Sequence, residues 1–235
     1  MTAVLETKGL EVFYGDFQAV FGVDFHVDEG ETVAIIGANG AGKSSFLKAL
    51  SGLVKTAPDG ILLDGKQVGG KPAYDMVKLG VALVPEGRRL FPSMSVEDNL
   101  RMGENGKSGD RGWDYETICD LFPILRERAG QLAPTLSGGQ QQMVAIGRAL
   151  ISNPRVLLCD EVSLGLSPAA IKDVYAAIGE IKKRGTTIVI VEQDLNTALS
   201  AADRVYCFLE GKVSLAGRAD EFDRAQILAG YFGNQ

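Results

Sequence analysis

The stretch TVAIIGANGAGKSSFLKAL, residues 32–50, constrains the fold more than any other part of the chain. Residues 32–37 form a mainly β-branched run, the pattern of a strand buried on both faces. Residues 43–50 carry helical spacing. Between them Gly37, Gly42, Lys43 and Ser44 satisfy G-x(4)-G-K-[S/T] in the strand–loop–helix setting the motif requires. The backbone N–H groups of Gly37, Asn39, Gly40, Ala41 and Gly42 can wrap phosphates, with Lys43 offsetting charge on the β and γ oxygens. Ser44 reaches Mg²⁺, and Ser45 lies beside it. A chance match in a chain of this composition is about one in a hundred. These residues imply a nucleoside triphosphate site in an α/β core.

The rest of the chain is consistent with that core. Phe21, Val23, Phe25 and Val27 are expected on one face of a half-buried antiparallel strand, with Val20, Gly22, Asp24 and His26 on the other. ILLDGKQV (61–68) reads as a hairpin through Asp64-Gly65. VALVP, RVLLCD and TTIVIVE read as further buried strands, and RVYCFLEGKVSLAG as a hairpin through Glu210-Gly211. Ser95 is placed to cap one helix, and Ser167 another with Pro168 in its first turn. GENGKSGDRG (103–112) reads as a flexible connection, and the helical pattern after it breaks at Pro123. The C-terminal RADEFDRAQILAGYFGNQ reads as a helix packed on the core.

The expected fold is a P-loop NTPase core with a mainly parallel sheet, an N-terminal antiparallel β subdomain and an inserted helical subdomain, about 87–150, within one domain spanning 1–235.

At 235 residues and 46% apolar, the chain is long enough for a full core. Its net charge of −6, without a Lys/Arg run, argues against nucleic acid as a partner. Cys119, Cys159 and Cys207 form no CxxC pair, which points to small buried residues in a reducing cytosol. The opening MTAVLETKGLEVFYG lacks the pattern of a signal peptide, and no apolar run reaches the ~20 residues of a membrane span.

A second metal arm is expected from a strand ending in a carboxylate, and RVLLCDE provides Asp160 and Glu161. Asp160 suits a metal held through water, and Glu161 suits a base that orients the attacking water. A second glycine-rich helix start, LSGGQ, lies at 136–140.

The order P-loop, LSGGQ, LLCDE resembles the ATP-binding-cassette (ABC) ATPases along essentially the whole chain. The resemblance implies ATP with Mg²⁺, and two cassettes packed head to tail. Each nucleotide then lies between one P-loop and the partner copy's signature, where Ser137, Gly138, Gly139 and Gln140 stand in this chain. It also implies that Tyr14 stacks on adenine, the alternative being a core tyrosine, and that the loop containing Gly165 crosses to the partner.

Three positions depart from the common pattern. Val162 replaces a proline, Glu86 stands for a metal- and water-sensing glutamine, and Gln193 for a histidine that contacts the γ-phosphate. His26 is the sole histidine, so Gln193 can donate a hydrogen bond but carries no charge.

VPEGRRLFPSMSVEDNL, SLGLSP and VEQDLNTALSAADRVY resemble the cassettes of branched-chain amino-acid importers, with relatives that import urea or short amides. In that subgroup Glu and Gln at these two positions are usual. The implied partners are a second cassette (the same chain or a paralogue), two inner-membrane permeases and an extracytoplasmic solute-binding protein. The chain itself would then be peripheral on the cytoplasmic face. Arg88, Arg89, Leu90 and Phe91 either meet a permease helix or form a surface loop with a packed phenylalanine. Competing classes are a soluble non-transport ABC ATPase, a small-molecule kinase, and an ATP-binding module that does not hydrolyse.

Overall fold

Strands rich in Val and Ile on both faces need cover on both faces, and that requirement organises the molecule. The computed structural model describes residues 3–232. β1 (Ala3–Tyr14) and β2 (Phe17–Asp28) pair antiparallel and precede β3 (Thr32–Gly37), which runs into α1 (Lys43–Leu50). β4 (Ile61–Leu63) and β5 (Lys66–Gln67) form the Asp64-Gly65 hairpin, with both turn residues left-handed at φ 50 and 71. They join the first two strands in a sheet of order β2-β1-β4-β5.

α2 (Ala73–Lys78) leads to β6 (Val81–Val84). The helical stretch follows with α3 (Val96–Arg101), α4 (Tyr115–Leu121), α5 (Pro123–Glu127) and α6 (Gly138–Ile151). β7 (Val156–Asp160), α7 (Pro168–Lys183), β8 (Thr187–Glu192), α8 (Leu195–Ala201), β9 (Arg204–Leu209), β10 (Lys212–Arg218) and α9 (Arg224–Phe232) complete the chain. The second sheet has the order β10-β9-β3-β8-β7-β6, parallel except for the β9–β10 hairpin.

Alternation along the parallel strands feeds separate apolar clusters. Val189 and Val191 of β8 pack with Phe46 and Leu47 of α1 and with Leu10 and Phe25 of the N-terminal sheet. Ile188 and Ile190 point the other way, against Val144 of α6 and Val174 and Ile178 of α7. Helices of the 87–150 stretch therefore share a core with the sheet. Ala34 and Ile36 meet Ala198 and Ile227 in a third cluster.

Strict alternation in β2 does not hold. Val20 and Val23 are both buried, whereas Phe21 is 41% exposed. Leu10 pairs with Val23 but Val12 with Val20, so β2 carries one extra residue, at a bulge where Gly22 takes φ 69. The bulge exchanges the faces and turns Phe21 outward.

The 103–112 connection is also held more firmly than its composition suggests. A 3-10 turn spans Met102–Gly106, and the amide of Ser108 donates to the Ser152 carbonyl at 2.8 Å. Asn153, fully buried, accepts from the amides of Arg111 (2.9 Å) and Trp113 (3.0 Å) and donates to the Trp113 carbonyl (2.8 Å). At the C-terminus the helix occupies less than residues 218–235. Arg218 ends β10, a 3-10 turn covers Ala219–Glu221, and residues 233–235 lie outside the described residues.

Asn153→Ala strands the buried Trp113 amide, removes the acceptor of the Arg111 amide and leaves a β-carbon at φ 55. It should lower unfolding free energy by about 2–4 kcal/mol in urea titrations.

Candidate functional site

β3 delivers the chain to a loop that only glycines can shape. Gly40 and Gly42 take φ 82 and 95, and a β-carbon on Gly42 would lie 2.7 Å from the Ala19 carbonyl oxygen. Gly42 caps α1 without a side-chain hydrogen bond, which leaves the helix's first amides to an outside acceptor. The loop is braced from behind. The Gly211 amide donates to the Ala41 carbonyl (3.1 Å), and the Phe21 amide to the Gly211 carbonyl (2.9 Å).

The resulting cleft, about 860 Å³, is lined by Asn39–Ser45, Glu161, Phe17, Phe21 and the 209–214 turn. Lys43 is buried, its ammonium donating to the carbonyls of Gly37 (2.7 Å) and Ala38 (3.0 Å), 4.0 Å from Glu161 Oε1. Burial pushes its pKa down, against the charges of Glu161, Asp160 and Glu192.

Asp160 ends β7 buried, accepting from Ser44 Oγ at 2.9 Å. Burial raises its pKa, the Ser44 bond opposes that, and Glu161 and Glu86 push it further up. Glu161 follows in the left-handed region, φ 49, its amide donating to the Val191 carbonyl at 3.0 Å. Gln193 Nε2 donates to Glu161 Oε2 at 2.6 Å. Ser44, Asp160, Glu161, Lys43 and Gln193, dispersed over 150 residues of sequence, are thereby brought together.

Oxygen donors beside clustered negative charge suit a hard cation such as Mg²⁺. Among the described residues, no group of three His, Cys, Asp or Glu side chains forms a metal cage.

Glu86 joins Asp160 in the lining of a second cleft, about 470 Å³, that also includes Lys48, Arg89 and Arg148. The Ser44–Asp160 bond is where the two clefts adjoin.

Residues 137–140 line neither cleft. Ser137 caps α6, accepting from the Gln140 amide (3.3 Å), and Gln140 Oε1 accepts in return from the Ser137 amide (3.0 Å). Gly139 has a packing reason independent of any ligand, since a β-carbon there would lie 2.7 Å from Ala170 Cβ of α7. A β-carbon on Gly138 would lie 3.1 Å from an Arg88 guanidinium nitrogen.

Tyr14 is 44% exposed and so is no core tyrosine; its hydroxyl lies 3.4 Å from Ser45 Oγ. Phe17, 69% exposed, lines the cleft and was not anticipated. Neither was Phe21, which the bulge redirects. An aromatic at each of these β2 positions was the only available signal. Gly165 lies in an exposed turn at φ 69, and Val162 is buried in the second cluster, a packing role. Of residues 88–91 only Arg89 lines the second cleft. Arg88 turns toward Gln141 (3.3 Å), and Phe91 packs beneath the Arg148 guanidinium. His26 lies on β2, next to the Tyr206 hydroxyl. All three cysteines are buried and free.

The family model described as "ABC transporter" matches residues 20–163. The high-affinity branched-chain amino acid transport ATP-binding protein BraG of Pseudomonas aeruginosa is 44% identical, over 89% of this chain and 91% of its own. The probable branched-chain amino acid transport ATP-binding protein LivF of Archaeoglobus fulgidus is 32% identical over 93% of each. A solved nucleotide-free ATP-binding cassette from an ABC transporter superposes with a TM-score of 0.83 at 28% identity, covering 99% of this chain and 100% of that one.

Gly42→Ala places a methyl against the Ala19 carbonyl in a backbone conformation alanine avoids. Nucleotide affinity, read by a fluorescent ATP analogue, should fall by more than about tenfold.

Proposed function

The chain belongs to the ABC transporter family, and from that membership we infer that it is the ATP-hydrolysing subunit of an importer for branched-chain amino acids. Hydrolysis of ATP is the general activity of these cassettes. The observation that carries the site assignment is the single cleft into which Lys43, Ser44 and Glu161 project, with Gln193 bonded to Glu161. The solute class follows the names of the relatives, at 44% and 32% identity across about nine-tenths of the chain.

The loop amides and Lys43 bind the phosphates. To do so, Lys43 exchanges its bonds to Gly37 and Ala38 for phosphate oxygens. Ser44 and Asp160, with Glu86 behind them, would hold Mg²⁺, which supplies charge neutralisation on the β- and γ-phosphates. Glu161 orients the attacking water and takes its proton. The Gln193 amide keeps that carboxylate in place and can turn to a phosphate oxygen. Tyr14 and Phe17 offer faces to the base.

One copy leaves the outer side of the cleft without the α6 amides, and a polyanion is best held by donors on all sides. Ser137, Gly138, Gly139 and Gln140 would complete the cleft of a second copy, with the Gly165 turn crossing between them. The second cassette is this chain or a paralogue. Among the described residues no helix is long and apolar enough to cross a membrane, so permease partners would supply the span. The cassette would lie on the cytoplasmic face, with Arg89, Arg148 and the apolar floor of the second cleft toward the permease.

Glu161→Gln should cut turnover by about 10²-fold or more while ATP-driven dimerisation persists in size-exclusion chromatography. Retained phosphate release would remove Glu161 from its role. Ser137→Ala should cost about 10²-fold, and unchanged turnover would remove the signature from the site. With His26 outside the cleft, turnover should show no histidine-type inflection at about pH 6–7. Tagged chain drawn from native membranes should bring hydrophobic permeases with it.

A further inference from the structure

β8 is apolar from Ile188 to Val191 and then places a carboxylate, Glu192, at a position 2% exposed. Alternation puts Glu192 on the face of Ile188 and Ile190, opposite the face that Val191 and Gln193 share. It therefore points away from the nucleotide cleft, into the layer beneath α7. A buried carboxylate is costly unless its lone pairs are met, and here they are. Oε1 accepts from the Ser163 amide (3.2 Å) and the Tyr175 hydroxyl (2.8 Å), and Oε2 from Ser163 Oγ (2.7 Å).

Ser163 opens the exposed turn that holds Gly165, and Tyr175 lies on the helix that Ser167 caps after that turn. The residues flanking Glu192 grip the same turn from the other face. The Val191 carbonyl accepts from the Glu161 amide at 3.0 Å, and Gln193 donates to the Glu161 carboxylate at 2.6 Å. Three consecutive residues at the end of β8 thus hold residues 161 and 163. Ser163 is thus the point at which the 163–167 turn is tied to Glu192, one peptide unit from Gln193.

We propose that Glu192 is a positioning residue that fixes the angle between Gln193 and Glu161 and transmits movements of the 163–167 turn to that pair. The proposal rests on the reading that Glu161 takes the proton and that this turn reaches a second copy.

The test is steady-state ATP turnover by the full chain, with kcat and KM separated. Glu192→Ala should lower kcat about tenfold with KM for ATP within about twofold. Glu192→Gln should recover at least about half of kcat, because the amide oxygen still accepts from Ser163 N–H and Tyr175, and the NH₂ can donate to Ser163 Oγ. Tyr175→Phe removes one hydroxyl and keeps the ring, so folding is not at stake. It should lower kcat by about two- to fivefold in the native chain and not at all in a Gln193→Ala background, the non-additivity expected of groups acting through one another. Equal Tyr175→Phe effects in both backgrounds, an unchanged kcat in Glu192→Ala, or a Glu192→Gln chain no better than the alanine variant would each overturn the proposal. Glu161→Gln, run alongside, separates the two readings. If it retains turnover, the base assignment fails. If it loses turnover while the Glu192 and Tyr175 variants stay silent, only the positioning role fails.

Discussion

A buried ammonium held by its own loop's carbonyls and in the field of nearby carboxylates sets the terms for the rest of this structure. Lys43 feels Glu161, Asp160 and Glu192, while burial disfavours its own charge. Burial likewise disfavours the charge of Asp160 and raises its pKa, and the neighbouring Glu161 and Glu86 push it further up. Such a wall is poised for ligands that bring charge of both signs, a polyphosphate for the ammonium and amides and a hard cation for the carboxylates. The resting contacts hold these groups in place meanwhile, Lys43 on its own loop, Ser44 on Asp160 and Gln193 on Glu161.

The division of labour between sheet faces follows from strand periodicity. At the end of β8, Gln193 lies on the side of the chemistry and Glu192 on the side of the helices. A single peptide unit thus connects a group that touches Glu161 to a group that anchors the outgoing turn. The same alternation separates the apolar cluster beneath the P-loop helix from the one beneath α6 and α7. Because interiors are close-packed, displacements in one layer are passed to the other rather than absorbed.

The signature segment answers to more than one demand. Ser137 and Gln140 form a complete capping box in the isolated chain, and Gly139 is where α6 comes close to Ala170. Those contacts explain the local residues without any nucleotide. This helix start lines neither of the chain's own clefts. Arg88, lying against Gly138 and bonded to Gln141, ties that helix start to the loop after β6. Arg148 fastens the same loop through the carbonyls of Arg88 and Arg89.

The sequence by itself determined the P-loop, the buried strands, the two hairpin turns, the helix caps at Ser95 and Ser167, and the residues expected to meet nucleotide. Each of these rests on interactions within a few residues, such as backbone angles, capping hydrogen bonds or side-chain period, which local sequence specifies. Only the tertiary structure decided that a bulge at Gly22 aims Phe21 at the cleft, that Asn153 holds the 107–113 segment, and that Phe17 lines the site. It alone also revealed that Glu192 receives Ser163 and Tyr175, and that Ser44 and Asp160 meet where two clefts adjoin. These features depend on register between strands and on which helix covers which face. Such pairings join residues far apart in the chain, and their geometry is set by close packing of the whole rather than by any one segment.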